Sequence, residues 1–132
     1  MIYLDANIFL YPLISEDEKS EKCRRIISEV VENKVEGCTS VLTWDEVLYT
    51  LIKEKGREEA VIEVKLFLSI PNLSFINVDS HIIMHAQSLV EDFSLKPRDA
   101  IHAATAIINK CTEIISDDSD FDKINNLIRR RL

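Results

Sequence analysis

The residues able to do chemistry here are carboxylates at four separate places: Asp5, Glu46, Asp99 and the run Asp117, Asp118 and Asp120. Asp5 follows the apolar residues Ile2, Tyr3 and Leu4, which read as a short buried strand. A carboxylate delivered at the end of a buried strand is costly unless its charge is used. Glu46 and Asp99 stand in the first turns of expected helices, and Asp117 to Asp120 follow another expected strand. In a parallel sheet, strand ends and the helix starts that follow them share one edge, where ligands bind. The four places therefore converge on one edge. Carboxylates gathered without a cation repel one another. A hard divalent cation, Mg²⁺ or Mn²⁺, prefers oxygen ligands and keeps several waters. It lowers the pKa of such a water and shields charge on a phosphate.

Each residue also has a plainer role open to it. Asp5 can cap the helix that follows it. Glu46 stands three residues after Thr43, the spacing of a capping box. Asp99 suits the positive end of its helix regardless of any ligand. Any one aspartate of the late run can be an exposed turn residue. Their joint occurrence carries the site reading. His102, one turn beyond Asp99, either touches the rim of the site or is a buried, hydrogen-bonded histidine. His81 and His85 share the spacing of zinc helices but lack a third ligand, so packing or surface roles are expected. Asp118, Asp120 and Asp122 start like a calcium loop, but Lys123 and Arg129 occupy the glycine and glutamate positions.

The elements that must position these groups alternate between strand and helix. The expected strands are Ile2–Leu4, residues 35–39, residues 73–78 and residues 113–116. Between them, residues 8–12 form a short helix or turn, and Ser15 with Glu18 fits a capping box for a helix through Val31. A helix over residues 41–55 carries the stripe Val41, Trp44, Leu48, Leu51 and Ile52, and Gly56 breaks it. The next helix, residues 57–70, buries Ala60, Val61, Val64, Phe67 and Leu68 and stops at Pro71. Asp79 can cap a helix through Phe93, with Ile82, Ile83, Ala86, Leu89, Val90 and Phe93 apolar. Pro97 opens a helix with the small residues Ala100, Ala103, Ala104 and Ala106, suited to close packing on a sheet. Residues 127–132 form a short helix or an edge strand. This pattern predicts a three-layer α/β/α sandwich around a parallel sheet of four to five strands.

The 132 residues, 46% hydrophobic, suit a single domain, 1–132, with one sizeable core. The formal charge of -7 argues against a protein that coats nucleic acid, but not against a nuclease whose cations offset its carboxylates. Cys23, Cys38 and Cys111 form no CxxC motif and read as reduced, buried thiols of a cytoplasmic protein. The N-terminus carries no signal-peptide pattern, and no stretch approaches a membrane span.

Four stretches together resemble the PIN-domain nucleases, and most closely the small VapC-type toxins of toxin–antitoxin modules. They are MIYLDANIFLY, SVLTWDEVLYTL, PRDAIHAATA and IISDDSDFD. The resemblance implies strand order 3-2-1-4-5, which sets Asp5 beside the Asp117–Asp120 turn. It implies Mg²⁺- or Mn²⁺-dependent endoribonuclease activity, with an RNA substrate, a homodimer and a cognate antitoxin. On this chain Asp5 and Asp99 would be the main metal ligands, and Glu46 and Asp118 would complete the catalytic pocket. Asn7 and Ser116 would orient ligands or water, with Asp117 and Asp120 nearby. The alternative within this fold is a catalytically weak scaffold that binds RNA or protein. A signalling receiver domain also carries an acidic pocket, but it needs a lysine just after its last strand. Here Asp117 and Asp118 follow instead, and Lys123 lies beyond the turn.

Overall fold

A computed structural model describes all of residues 1–132. Five parallel strands form the sheet: β1 (Ile2–Leu4), β2 (Gly37–Ser40), β3 (Leu73–Ile76), β4 (Glu113–Ile115) and β5 (Ile128–Arg130). Their order is β3-β2-β1-β4-β5, as the resemblance implied. β1 is central. Tyr3 pairs with Cys38 of β2 on one side and with Ile114 of β4 on the other. The order reverses between β1 and β4, so the carboxyl ends of these two strands open onto a crevice.

Six helices cover the sheet: α1 (Ala6–Ile14), α2 (Glu18–Val31), α3 (Thr43–Lys55), α4 (Arg57–Leu68), α5 (Ser80–Phe93) and α6 (Pro97–Ile108). Both faces of β1 are buried, which explains its unbroken apolar run. Ile2 and Leu4 join the core built with α1 to α4, including Phe9, Leu51 and Phe67. Tyr3, of opposite parity, joins the core built with α5 and α6, including Leu89, Ile114 and Phe121. The alanines of α6 are fully buried there, and their small side chains allow the helix to lie close to the sheet.

Several local expectations are corrected. The expected Ser15–Glu18 box does not form, because α1 is longer than residues 8–12 and uses Ser15 as its C-cap. Asp17 caps α2 instead, its Oδ1 accepting from Ser20 N at 2.9 Å. The Thr43–Glu46 box is also absent: Thr43 lies inside α3, and its Oγ1 bonds Thr39 Oγ1 at 2.7 Å. With its hydroxyl satisfied, Thr43 faces inward together with Val47 and Leu51. This rotates the buried stripe of α3 away from Val41 and Trp44, and Trp44 is 44% exposed. Val61, Leu68 and Ile83 are likewise exposed rather than core. The chain end is the edge strand β5, not a helix. The late acidic turn folds as a 3₁₀ turn, Ser119–Lys123, capped by Asp118.

Gly37 opens β2 at a place where α2 presses on the sheet. A Cβ added there would lie 2.6 Å from Val30 Cγ2. Val30 is buried and cannot swing away. Gly37→Ala is expected to lower stability by about 1–3 kcal/mol through overpacking, read as a lower midpoint in urea denaturation.

Candidate metal centre

The carboxyl ends of β1 and β4 and the starts of α3 and α6 surround a cleft of about 610 Å³. Asp5, Ala6, Asn7, Glu46, Lys96, Pro97, Arg98, Asp99 and Asp118 line it. Four residues remote in sequence are thus gathered by the crossover connections. Asp5 is the N-cap of α1, and its Oδ1 accepts from Ala6 N at 2.8 Å. Its Oδ2 accepts from Ser116 Oγ at 2.6 Å. The same Ser116 Oγ accepts from Asp118 N at 3.0 Å, so one hydroxyl ties Asp5 to the 3₁₀ turn. Capping and site membership are compatible roles for Asp5.

The acidic oxygens fall into two groups at this cleft. Asp5 lies with Glu46 and His102, and Asp99 lies with Asp118 and Asp120; within each group the ligand atoms are within 4.8 Å of one another. Asp117 points elsewhere. It accepts from Tyr11 Oη at 3.0 Å and pairs with Lys19, which holds its carboxyl below the usual range. Asp120 is also engaged, by Lys123 at 3.2 Å, and Asp45 pairs with Arg98 at 2.9 Å. Of the late run, Asp118 lines the cleft wall, with Asp120 beside it and Asp99.

Burial pushes the Asp5 carboxyl up despite the opposing pull of His102 and Ser116. Asp99 rises to about 6, first from burial and then from the charges of Asp118 and Asp5. Its Oδ2 is buried and has no hydrogen-bond partner. An orphaned carboxylate oxygen beside like charges fits a hard cation, which would both satisfy and neutralise it. The donor set, all carboxylate oxygens on the cleft wall, suits Mg²⁺ or Mn²⁺.

These shifts give a testable sign. A carboxyl raised in the folded state favours folding below its ordinary pKa, near 4. That contribution is lost as pH rises through about 6 for Asp99. The full shift corresponds to about 3 kcal/mol, and solvent at this partly exposed carboxyl reduces it to about 1–2 kcal/mol. In metal-free solution Asp99→Asn is therefore expected to melt higher than the parent protein above pH 6, with the difference vanishing below pH 4. Saturating Mn²⁺ should raise the melting temperature of the parent chain and not of the variant.

His102 and Tyr3 are the partners that sequence reasoning left unassigned. His102 is buried, its Nε2 lies 2.7 Å from Glu46 Oε1, and its Nδ1 lies 2.6 Å from Tyr3 Oη. Tyr3 Oη accepts from Ser40 N at 3.0 Å. The Tyr3 proton therefore points to Nδ1 of the neutral imidazole, which leaves Nε2–H to donate to Glu46. Burial alone would lower the His102 pKa. The hydrogen bond to Glu46 and the charges of Asp5, Glu46 and Asp99 outweigh burial and raise it. In both protonation states Nε2–H faces Glu46. The one available sequence signal was the placement of His102 three residues after Asp99 on α6.

The PIN domain family model matches residues 2–127. The chain belongs to the PIN domain family. No curated protein matches it in sequence. Solved structures share its fold throughout. One is VapBC2 from Rickettsia felis, bound to a DNA fragment from their promoter, with 23% identity and TM-score 0.76, covering 99% of this chain and 98% of that one. A toxin–antitoxin complex from Klebsiella pneumoniae shows 22% identity and TM-score 0.69, covering 97% and 96%. VapC20 of Mycobacterium tuberculosis, a sarcin–ricin loop cleaving toxin, shows 17% identity and TM-score 0.76, covering 96% and 97%. At these identities the likeness concerns the PIN fold. No helix of this PIN domain is long and apolar enough to cross a membrane.

Proposed function

We propose that this PIN domain is a metal-dependent endoribonuclease, the toxin of a toxin–antitoxin module. The observation that carries the reading is the cleft in which Asp5, Glu46, Asp99 and Asp118 meet, with the buried Asp99 Oδ2 unpartnered. Asp5 and Asp99 would be the principal holders of Mg²⁺ or Mn²⁺, with Glu46 and Asp118 completing the pocket. When bound, the cation supplies a water of lowered pKa and shields the charge of the phosphate.

The protein's own part is orientation and charge. Ser116 fixes the rotamer of Asp5, and His102 fixes Glu46. Glu46 lines the cleft, and its Oε2, the oxygen not bonded to His102, would accept a proton from an attacking water. Asn7, in the first turn of α1, faces the cleft and can orient that water. Asp117 braces the turn from behind through Lys19, and Asp120, beside Asp99 and Asp118, is held by Lys123. Four carboxylates alone would repel a phosphodiester. Lys96 and Arg98 on the same wall offset them, and Lys96 makes no ion pair within the chain. RNA would approach along that cationic rim.

Relatives solved as toxin–antitoxin complexes support an antitoxin partner. Val41, Trp44, Leu68 and Phe75 line an apolar surface hollow of about 410 Å³, a feature suited to protein contacts such as an antitoxin or a second copy in a homodimer. A cytoplasmic site of action follows from an RNA target in the cell. The test is incubation with structured RNA in Mg²⁺ or Mn²⁺, with and without EDTA. Cleavage that EDTA abolishes and added metal restores is the expected result. RNA binding with no cleavage under any metal would leave only the scaffold reading.

A further inference from the structure

Away from the acidic cleft, two thiols 73 residues apart meet. Cys38 Sγ on β2 lies 3.5 Å from Cys111 Sγ, in the connection from α6 to β4. Cys38 is fully buried, but Cys111, expected to be buried as well, is partly exposed because it lies in the connecting loop. Both sit near the amino ends of their strands, at the sheet edge opposite the cleft. Backbone bonds hold the loop in place: Cys111 N donates to Ala106 O at 2.9 Å, and Thr112 N donates to Met1 O at 3.0 Å. The contact between the thiols also splits their acidities, holding Cys111 below the usual thiol range and Cys38 above it. Cys23 is buried in the other core, among α1 to α4, and touches no thiol.

We propose that Cys38 and Cys111 form a redox-modification site, a dithiol that hydrogen peroxide converts into an intrachain disulfide. The partly exposed, more acidic thiol of Cys111 is the one an oxidant reaches first. The Cys111 thiolate attacks one peroxide oxygen, and the O–O bond breaks. The products are a sulfenic acid on Cys111 and hydroxide, which takes the proton Cys111 released. Cys38 then gives up its proton and its sulfur attacks Cys111 Sγ. The S–O bond breaks, and the second hydroxide leaves as water with the Cys38 proton. Two thiols and one peroxide thus yield one disulfide and two waters. The sulfurs, now 3.5 Å apart, need to close to about 2 Å.

The bridge would fasten β2 to the end of α6. β2 leads into α3, which carries Glu46, and α6 carries Asp99 and His102. It would therefore lock the relative position of the two elements that form one wall of the cleft.

The experiment treats the full chain with equimolar hydrogen peroxide, then counts free thiols, maps peptides and melts the product. Free thiols should fall from three to one, with Cys38 and Cys111 joined in one chain and released by dithiothreitol. The melting temperature should rise by roughly 5–10 °C, because the crosslink closes a long loop. In Cys38→Ser and Cys38→Ala, dimedone should trap a sulfenic acid on Cys111, and the melting rise should vanish. Cys23→Ser should still form the bridge. Three persistent thiols, over-oxidation of Cys111 with Cys38 present, a bridge between two chains, or dependence on Cys23 would each overturn the proposal. The mapping on the parent chain decides the matter even if a variant fails to fold.

Discussion

Replacing Asp5 or Asp99 by asparagine is expected to lower RNA cleavage by about 10³-fold or more. The substitutions keep shape and remove charge. In Asp5→Asn the new amide oxygen could still accept from Ala6 N, and the amide nitrogen could donate to Ser116 Oγ, whose own proton would turn aside. The fold should therefore survive, and Asp99→Asn should even melt higher without metal. A loss of several kcal/mol of transition-state stabilisation with no loss of stability is the signature of a ligand. Single-turnover cleavage measured beside thermal melting separates the two effects. Unchanged cleavage in either variant would remove that residue from the metal centre.

His102→Ala is expected to be costly on both counts. It deletes a buried ring that satisfies Tyr3 Oη and Glu46 Oε1 together. The Tyr3 hydroxyl would be left without its acceptor, and a cavity would open between β1 and α6. The combined cost is about 2–5 kcal/mol, read from urea denaturation. Cleavage should fall by about 10–100-fold through the loss of Glu46 orientation, the range for removing a group that steadies a metal-site carboxylate. Tyr3→Phe separates the terms. It removes the same chain of bonds one step further out, so it should lower stability through the unpaired Ser40 N–H and leave His102 on Glu46. If His102→Ala cleaved RNA at the parent rate while remaining folded, His102 would be only a packing residue.

Much of this was visible in the order of residues. The apolar triplet Ile2–Leu4 followed by Asp5 marks the central strand, because only a strand covered on both faces is apolar without alternation. Pro97 and Asp79 marked helix starts by local chemistry, and both act there. The small alanines of α6 announced close packing, and they are buried. Where local signals failed, a tertiary contact had overridden them. Ser15 looked like a cap until α1 extended to take it. Thr43 looked like a cap until Thr39 offered its hydroxyl a partner. Trp44 and Val41 looked like core until that same pairing turned α3.

The sequence alone determined which residue types stand at strand ends and helix starts, since period, capping and turn chemistry act over a few neighbours. Only the tertiary structure decided how the carboxylates divide. Asp117, Asp118 and Asp120 share one residue type in one short turn, and by sequence only the family resemblance favours Asp118. Tyr11 and Lys19 draw Asp117 away, while Asp118 and Asp120 both stay beside Asp99, with Asp118 on the cleft wall. Likewise Tyr3, His102 and Glu46 span three elements, and no local pattern records that they touch. The reason is physical: a side chain's partner across a sheet is set by strand order and register, and those are properties of the whole packed chain.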